Sequence, residues 1–311
     1  MLHFSNGRTA QSASLIPFDD LIRSYNKIRG KDANLPESEQ PDTANTGGDE
    51  AGMGFGALAA RLEPLGSGRF KLDGAAGWMQ GRTMYGGTAA FIAYSAAKLA
   101  FPDLPPLRAA QVGFVAPVGE QLEVEVVMLR QGRSVAQVET SLLCDGAVAQ
   151  RTLWLFGAER ESNGSVAASV LPGLIPPEES PHLTASDMAP AFTARMDMRR
   201  ADPAGGSPAG TIRRWVRLKD RAGLDPVGEL VGIGDALPPG SARAMERKGP
   251  ISSITWALTI LGEVPQTREG WWLLETSSNH MAHGFSSETL RLWSSEGVEV
   301  MHGLQSVAVF G

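Results

Sequence analysis

The chain carries the same folding unit twice. The first copy reads Gly132-Arg133-Ser134-Val135-Ala136-Gln137-Val138-Glu139-Thr140, then Asp145-Gly146, then Leu153-Trp154-Leu155-Phe156-Gly157. The second reads Gly284-Phe285-Ser286-Ser287-Glu288-Thr289-Leu290-Arg291-Leu292, then Glu296-Gly297, then Val307-Ala308-Val309-Phe310-Gly311. Each is a glycine, an alternating strand, an acidic-Gly turn, a second strand and a Phe-Gly end. Repetition on this scale predicts a duplicated, pseudo-symmetric core. It also predicts where a site would lie: between the halves, with one half keeping the chemistry and the other serving as scaffold. At 311 residues the chain can hold two domains of ordinary size or one large duplicated one.

Several function classes are disfavoured by composition. The formal net charge is -6 and no Lys/Arg run exceeds two residues, so the basic footprint of a nucleic-acid binder is missing. Cys144 is the only cysteine, which rules out an intrachain disulfide and fits a reducing cytosol. No stretch reaches the roughly 18 apolar residues of a membrane-spanning helix. Met1-Leu2-His3-Phe4-Ser5-Asn6 lacks the charged and apolar regions of a signal peptide. A soluble cytoplasmic protein is expected, and a homo-oligomer is left open.

Residues 1–52 are expected to be a disordered extension. Gly30 to Glu50 is polar, acidic and rich in Asp, Asn, Pro and Gly, a composition that buries too little apolar surface to order itself. Within it, only Leu15 to Ile28 could form a short amphipathic helix. From Met53 the text changes. Phe55 to Leu62 reads as a helix and Gly68 to Leu72 as a strand. A loop ending in Gly86-Gly87 leads into Thr88 to Ala100, an Ala-rich helix with Lys98 as its one charge, closed by Phe101-Pro102. A helix apolar nearly all round is a buried one. Four strands follow, at 107–118, 122–128, 134–143 and 147–156. In the second of them Leu122, Val124, Val126 and Met128 share a face, as do Ala136, Val138, Thr140 and Leu142 in the third.

A Pro/Ser-rich linker at 161–187 separates this unit, 53–160, from the second, 188–311. There the order repeats. Strands are expected at 192–198 and 212–218, a short buried helix at 229–236 before Pro238-Pro239, and strands at 251–261, 270–278, 286–294 and 298–310. One apolar helix followed by consecutive antiparallel strands, twice, is an α+β pattern: two antiparallel sheets, each wrapped around one buried helix and joined to the other edge to edge.

Short motifs sharpen this. The run Gln80-Gly81-Arg82-Thr83-Met84-Tyr85-Gly86-Gly87 before an apolar helix resembles the acyl-CoA thioesterase II (TesB-like) family. So do Phe114-Val115-Ala116-Pro117, Gln131-Gly132-Arg133-Ser134, Gly234-Asp235-Ala236-Leu237-Pro238-Pro239, Ser252-Ser253-Ile254-Thr255, Trp272-Leu273-Leu274-Glu275, His283-Gly284-Phe285-Ser286 and Gln305. The order and spacing of these motifs across both halves carry the resemblance, which spans about residues 53–311. It implies a double hotdog fold, an acyl-CoA substrate and thioester hydrolysis by water, with no cofactor. It also implies a water held and activated by an Asp, a Ser or Thr, and a Gln, which fall here on Asp235, Ser253 and Gln305. Thr255 remains open as the hydroxyl and as a substrate contact. Where many members carry Asp-His after the hydroxyl residue, this chain has Thr255-Trp256. That departure motivates a rival from another class, a catalytically silent double hotdog that binds acyl-CoA or a partner.

Read by themselves, these residues have plainer roles beside the chemical ones. Asp235 lies in an apolar stretch, where a carboxylate must be hydrogen-bonded; it is a general base for water or a cap ahead of Pro238. Alternation puts Ser253 and Thr255 on one strand face. Gln305 interrupts an apolar strand and needs a partner, a water or a backbone group. Backbone N–H groups of Gly86 and Gly87 at a helix start can polarise a bound carbonyl; the alternative is a tight turn. His280 and His283 lack a third metal ligand and read as solvated loop residues, so no metal is expected. No Gly-x-Ser-x-Gly elbow and no nucleotide fingerprint is present. Cys144 beside its turn reads as structural, and Arg108, Arg130 and Arg133 read as CoA-phosphate contacts or solvated strand ends. Met53-Gly54-Phe55-Gly56-Ala57-Leu58 reads as a natural start of the family. A chain begun at Met53 is therefore expected to keep the melting temperature and activity of the full chain; a large drop in melting temperature would show that the extension packs on the core.

Overall fold

A computed structural model describes residues 53–183, 189–203 and 206–310. The expected extension, with its Leu15–Ile28 helix, lies outside the described residues, as do residues 184–187 of the linker. In the first half Phe55–Ala60 (α1), Glu63–Gly66 (β1), Arg69–Leu72 (β2), Met79–Gln80 (β3) and Thr83–Met84 (β4) lead into Gly86–Ala100 (α2). Then come Leu107–Phe114 (β5), Leu122–Gln131 (β6), Val135–Cys144 (β7) and Ala147–Gly157 (β8). The second half runs Met196–Arg200 (β9), Thr211–Leu218 (β10), Pro226–Ile233 (α3), Ser241–Ala244 (α4), Ile251–Ile260 (β11), Trp272–Ala282 (β12), Phe285–Trp293 (β13) and Glu299–Val309 (β14).

Twelve of these strands form one antiparallel sheet, in the order β1-β2-β6-β7-β8-β5-β11-β14-β13-β12-β10-β9. The two expected sheets are thus continuous, with the edge-to-edge join falling at β5 and β11. Each half has one edge at the first strand after its helices, β5 or β11, and an unpaired edge exposes a row of N–H and C=O groups. The two edges satisfy each other, from Thr255 opposite Gly113 to Thr259 opposite Ala109. Read outward from this seam, the strand order is the same on both sides, so the duplication seen in the sequence is a pseudo-symmetry of the sheet.

Local chemistry sets the connections. Asp145 and Gly146 have φ of 51 and 76 degrees, and His283 and Gly284 have 53 and 78. Positive φ at both central residues matches the twist of a two-residue hairpin, which explains the tight β7–β8 and β12–β13 turns. The expected alternation holds in β7: Ala136, Val138, Thr140 and Leu142 are all buried. The strand expected from Phe192 begins only at Met196. Behind Pro190, residues Ala191–Arg195 form a 3-10 turn, and Phe192 stacks on Tyr85 with ring centroids 4.1 Å apart.

Helix α2 is buried from Gly87 to Ala97 and packs on β6, β7, β8 and α3. Helix α3 starts earlier than expected and ends at Ile233. The Asp225 carboxylate accepts hydrogen bonds from Val227 N at 3.0 Å and Gly228 N at 2.9 Å, and Pro226 opens the helix. The two helices meet where the start of α2 abuts the end of α3. A Cβ at Gly87 would overlap the carbonyl oxygen of Gly232 and the hydroxyl of Tyr85, and Tyr85 donates to that same carbonyl at 2.9 Å. No helix among the described residues is long and apolar enough to cross a membrane. Gly87→Ala must push backbone aside at this contact, and overpacking of this kind costs about 1–3 kcal/mol. The variant should show a clearly lower melting temperature by circular dichroism, whereas Gly146→Asn, in an open turn with a residue that tolerates positive φ, should change it little.

Candidate active site

Asp235 sits in the turn that follows α3. Its Oδ1 accepts a hydrogen bond from Gln305 Nε2 at 2.6 Å. The Oε1 of Gln305 accepts from Ser253 Oγ at a longer 3.4 Å. The amide orientation follows from chemistry: a carboxylate only accepts, so the NH2 end must face Asp235 and the carbonyl end Ser253. Gln305 points inward because its register on β14 sets it between Trp256 of β11 and Glu288 of β13, all three buried. Three segments distant in sequence thus join in one chain, Ser253 to Gln305 to Asp235.

The first half reaches this point as well. A Cβ at Gly86 would overlap Asp235 Oδ2 and lie 3.2 Å from the Phe114 ring. The missing side chain lets the start of α2 approach the carboxylate, and a helix start carries partial positive charge. Tyr85, just before it, is buried. Burial first, and then the nearby charge of Asp235, raise its hydroxyl well above the usual tyrosine value, so it stays protonated.

Thr255 does not share the face of Ser253. The β11–β14 register shifts between Ser253 and Thr255: Ser253 pairs with Val307 and Thr255 with Ser306. Ile254 is the extra residue of a β-bulge, which reverses the alternation that follows. Thr255 is therefore exposed on the outer face beside Ser306, while Ser253 turns inward.

Asp235 is partly buried. Loss of solvent raises its carboxyl pKa to about 7, and the hydrogen bond from Gln305 works against that rise. The acid can therefore hold or release a proton near neutrality, the range a general base needs. The same shift has a stability consequence. The unfolded carboxyl titrates near pH 4, so between about pH 4 and 7 the folded state holds a proton that the unfolded state lacks. Stability falls as pH rises through that window.

Other residues singled out from sequence lie apart from this chain. His280 and His283 are exposed, and the described residues contain no cluster of His, Cys, Asp and Glu arranged for a metal ion. Arg108 Nε donates to Gly157 O at 2.9 Å, and Arg130 and Arg133 are exposed. Cys144 Sγ accepts from Gly119 N at 3.3 Å, a structural contact. Sequence reasoning missed Tyr85 and Glu288 as neighbours of the site. The signal for Glu288 was available: alternation puts it on the face of Leu290 and Leu292. Asp235→Asn removes the charge but keeps an oxygen for Gln305. It should melt above wild type at about pH 8, with the difference closing toward pH 4, as read by thermal scans across pH.

Residues 75–157 match the acyl-CoA thioesterase N-terminal domain, and residues 174–309 match the acyl-CoA thioesterase C-terminal domain. A search of curated protein sequences returned no match. Among solved structures, a hot dog fold protein of Alicyclobacillus acidocaldarius is 22% identical with a TM-score of 0.71, covering 83% of this chain and 99% of its own. A structure from Novosphingobium aromaticivorans is 25% identical, TM-score 0.69, covering 81% of this chain and 99% of its own. The acyl-CoA thioesterase II TesB2 of Mycobacterium marinum is 18% identical, TM-score 0.68, covering 82% and 98%. These likenesses give the hot dog fold. With thioesterase domain matches following one another along both halves, the chain belongs to the acyl-CoA thioesterase family, a family of thioester hydrolases.

Proposed function

We propose that this thioesterase hydrolyses an acyl-CoA thioester to free acid and CoA, and that Asp235 activates the attacking water. The observation that carries the reading is the hydrogen-bonded chain from Ser253 through Gln305 to Asp235. Two hotdog units, 53–160 and 188–311, form a double hotdog around it, joined at the β5–β11 seam. In the reaction the water oxygen bonds to the thioester carbon as one water proton passes to the Asp235 carboxylate. Gln305 keeps a second N–H to donate to the water, and the Ser253 oxygen keeps lone pairs to accept from it. The carbonyl electrons move onto oxygen, where backbone N–H groups of Gly86 and Gly87 at the start of α2 stabilise the charge. When the carbonyl re-forms, the C–S bond breaks, and the CoA sulfur takes the proton back from Asp235.

The raised carboxyl of Asp235 supports this role, since a base near the working pH balances readiness to accept a proton against being already protonated. The reading implies acyl-chain metabolism in a cytoplasmic setting. Thiol release measured over a panel of acyl-CoA substrates tests it. The wild-type rate should rise with pH through about 7. Asp235→Asn should lower kcat by about 10²–10⁴ with KM little changed, because the carboxylate acts on water rather than on CoA. Ser253→Ala and Gln305→Ala should each cost less and combine non-additively, since they serve one water. Thr255→Ala, on the outer face, should stay near wild type. A wild type that releases no thiol from any acyl-CoA would leave only a binding role. An Asp235→Asn enzyme at the wild-type rate would remove Asp235 from the chemistry.

A further inference from the structure

Three buried polar side chains stand on adjacent strands of the inner sheet face: Thr276 on β12, Glu288 on β13 and Gln305 on β14. All three hold the same loop, residues 235–241. Gln305 donates to Asp235. Thr276 Oγ1 donates to the carbonyl of Pro238 at 2.8 Å. Glu288 takes the far end: its Oε2 accepts from Gly240 N at 2.8 Å and its Oε1 from Ser241 N at 3.2 Å. Ser286 Oγ adds a third bond to Glu288 Oε1 at 2.6 Å, and is itself 2.7 Å from Ser278 Oγ. In the β13–β14 register Glu288 lies directly opposite Gln305.

Glu288 is 0% exposed. A carboxylate in such a place is tolerated only when its lone pairs are met, and the bonds it accepts here come from two backbone N–H groups and a hydroxyl. Those backbone groups belong to the loop that carries Asp235. Gly240 also packs close on Gly210 and Ser278, and Ala236 and Leu237 are buried, but the polar ties from the sheet to this loop are those of Gln305, Thr276 and Glu288. The loop contains Pro238 and Pro239, which lack N–H groups, and α4 after it is a single turn. A one-residue slip of the loop would carry Asp235 off the Gln305 amide.

We propose that Glu288 is a positioning residue of the hydrolase: together with Thr276 it clamps the 236–241 loop so that Asp235 stays seated on Gln305 and against the start of α2. This rests on the reading of Asp235 as the base. The clamp acts on geometry and never touches substrate, so its loss should appear in turnover and not in binding.

The test uses the full chain, with thiol release as the readout. Glu288→Gln keeps the size but has one carbonyl oxygen for donors that two oxygens now serve. It should lower kcat by about 10- to 100-fold, the penalty of a base displaced by about 1 Å, with KM little changed. The rising limb of its pH–rate profile should move to lower pH, because a loosened Asp235 regains water; Tyr85, the other titratable group beside it, stays protonated throughout. Thr276→Val keeps the shape and removes only the bond to Pro238, so it should change kcat and the pH limb in the same direction by a smaller factor. If Glu288→Gln fails to fold, Thr276→Val decides the matter. The proposal is overturned if the folded variants keep the wild-type kcat and pH limb, or if kcat falls only in step with melting temperature while the pH limb stays put. Asp235→Asn is measured alongside. A dead Asp235→Asn with a fully active Glu288→Gln removes the clamp alone, whereas an active Asp235→Asn removes the base assignment itself.

Discussion

The contact between the start of α2 and the end of α3 governs most of what surrounds it. Gly87 lets the two backbones approach until a side-chain atom would no longer fit, and Tyr85 closes the contact with a hydrogen bond to the Gly232 carbonyl. From there the consequences run outward. Tyr85 stacks on Phe192 and so ties the entry of the second half to the first. Gly86 comes to rest against Asp235, which is how a helix start from one half and an acid from the other share a site. Neither helix could be extended at this end without breaking the arrangement.

The fate of a carboxylate here depends on how many donors meet it. Asp235 takes one hydrogen bond, from Gln305, and loses most of its water; its proton affinity rises. Glu288 accepts from two backbone N–H groups and a serine hydroxyl. The two acids thus meet different surroundings, and the proposed readings give them different tasks, a base for water and a clamp on a loop. Poor solvation is a cost to the fold at Asp235 and, on the proposed reading, the source of its chemistry, the usual exchange between stability and function.

Much of this was legible in the chain, and the misses share a cause. Period-two alternation gave the buried face of β7 because it is a local property of the backbone. Asp145-Gly146 announced its turn because only such pairs accept positive φ cheaply. Asp235, Ser253 and Gln305 could be nominated by resemblance to a family, and the structure brings them together in one hydrogen-bonded chain. What failed was non-local. Duplication suggests two sheets joined edge to edge, but that the join falls at β5 and β11 cannot be read from either strand alone. The bulge at Ile254 is fixed by the partner strand β14, and it reverses Thr255 without any glycine or proline to signal it. The start of α3 differs in kind: Asp225-Pro226 is a legible cap, ahead of the 229–236 helix that apolar patterning alone suggests. Glu288 looked like one more polar residue in a strand until the loop it holds came into view.

The sheet's mirror-like strand order offers two related ends for the α2–α3 pair, yet they are not used alike. At one end stand Gly86, Asp235 and Gln305. At the other, the Asp225 carboxylate is occupied in capping α3 and meets the Tyr94 hydroxyl at 3.4 Å, while α2 runs on past it to Ala100. A symmetric ancestor with identical halves would have had every substitution appear twice, once at each end. Fusion into one chain breaks that coupling. On the proposed reading, residues at the capped end answer only to folding and residues at the open end to both folding and chemistry, so the two ends are free to drift at different rates.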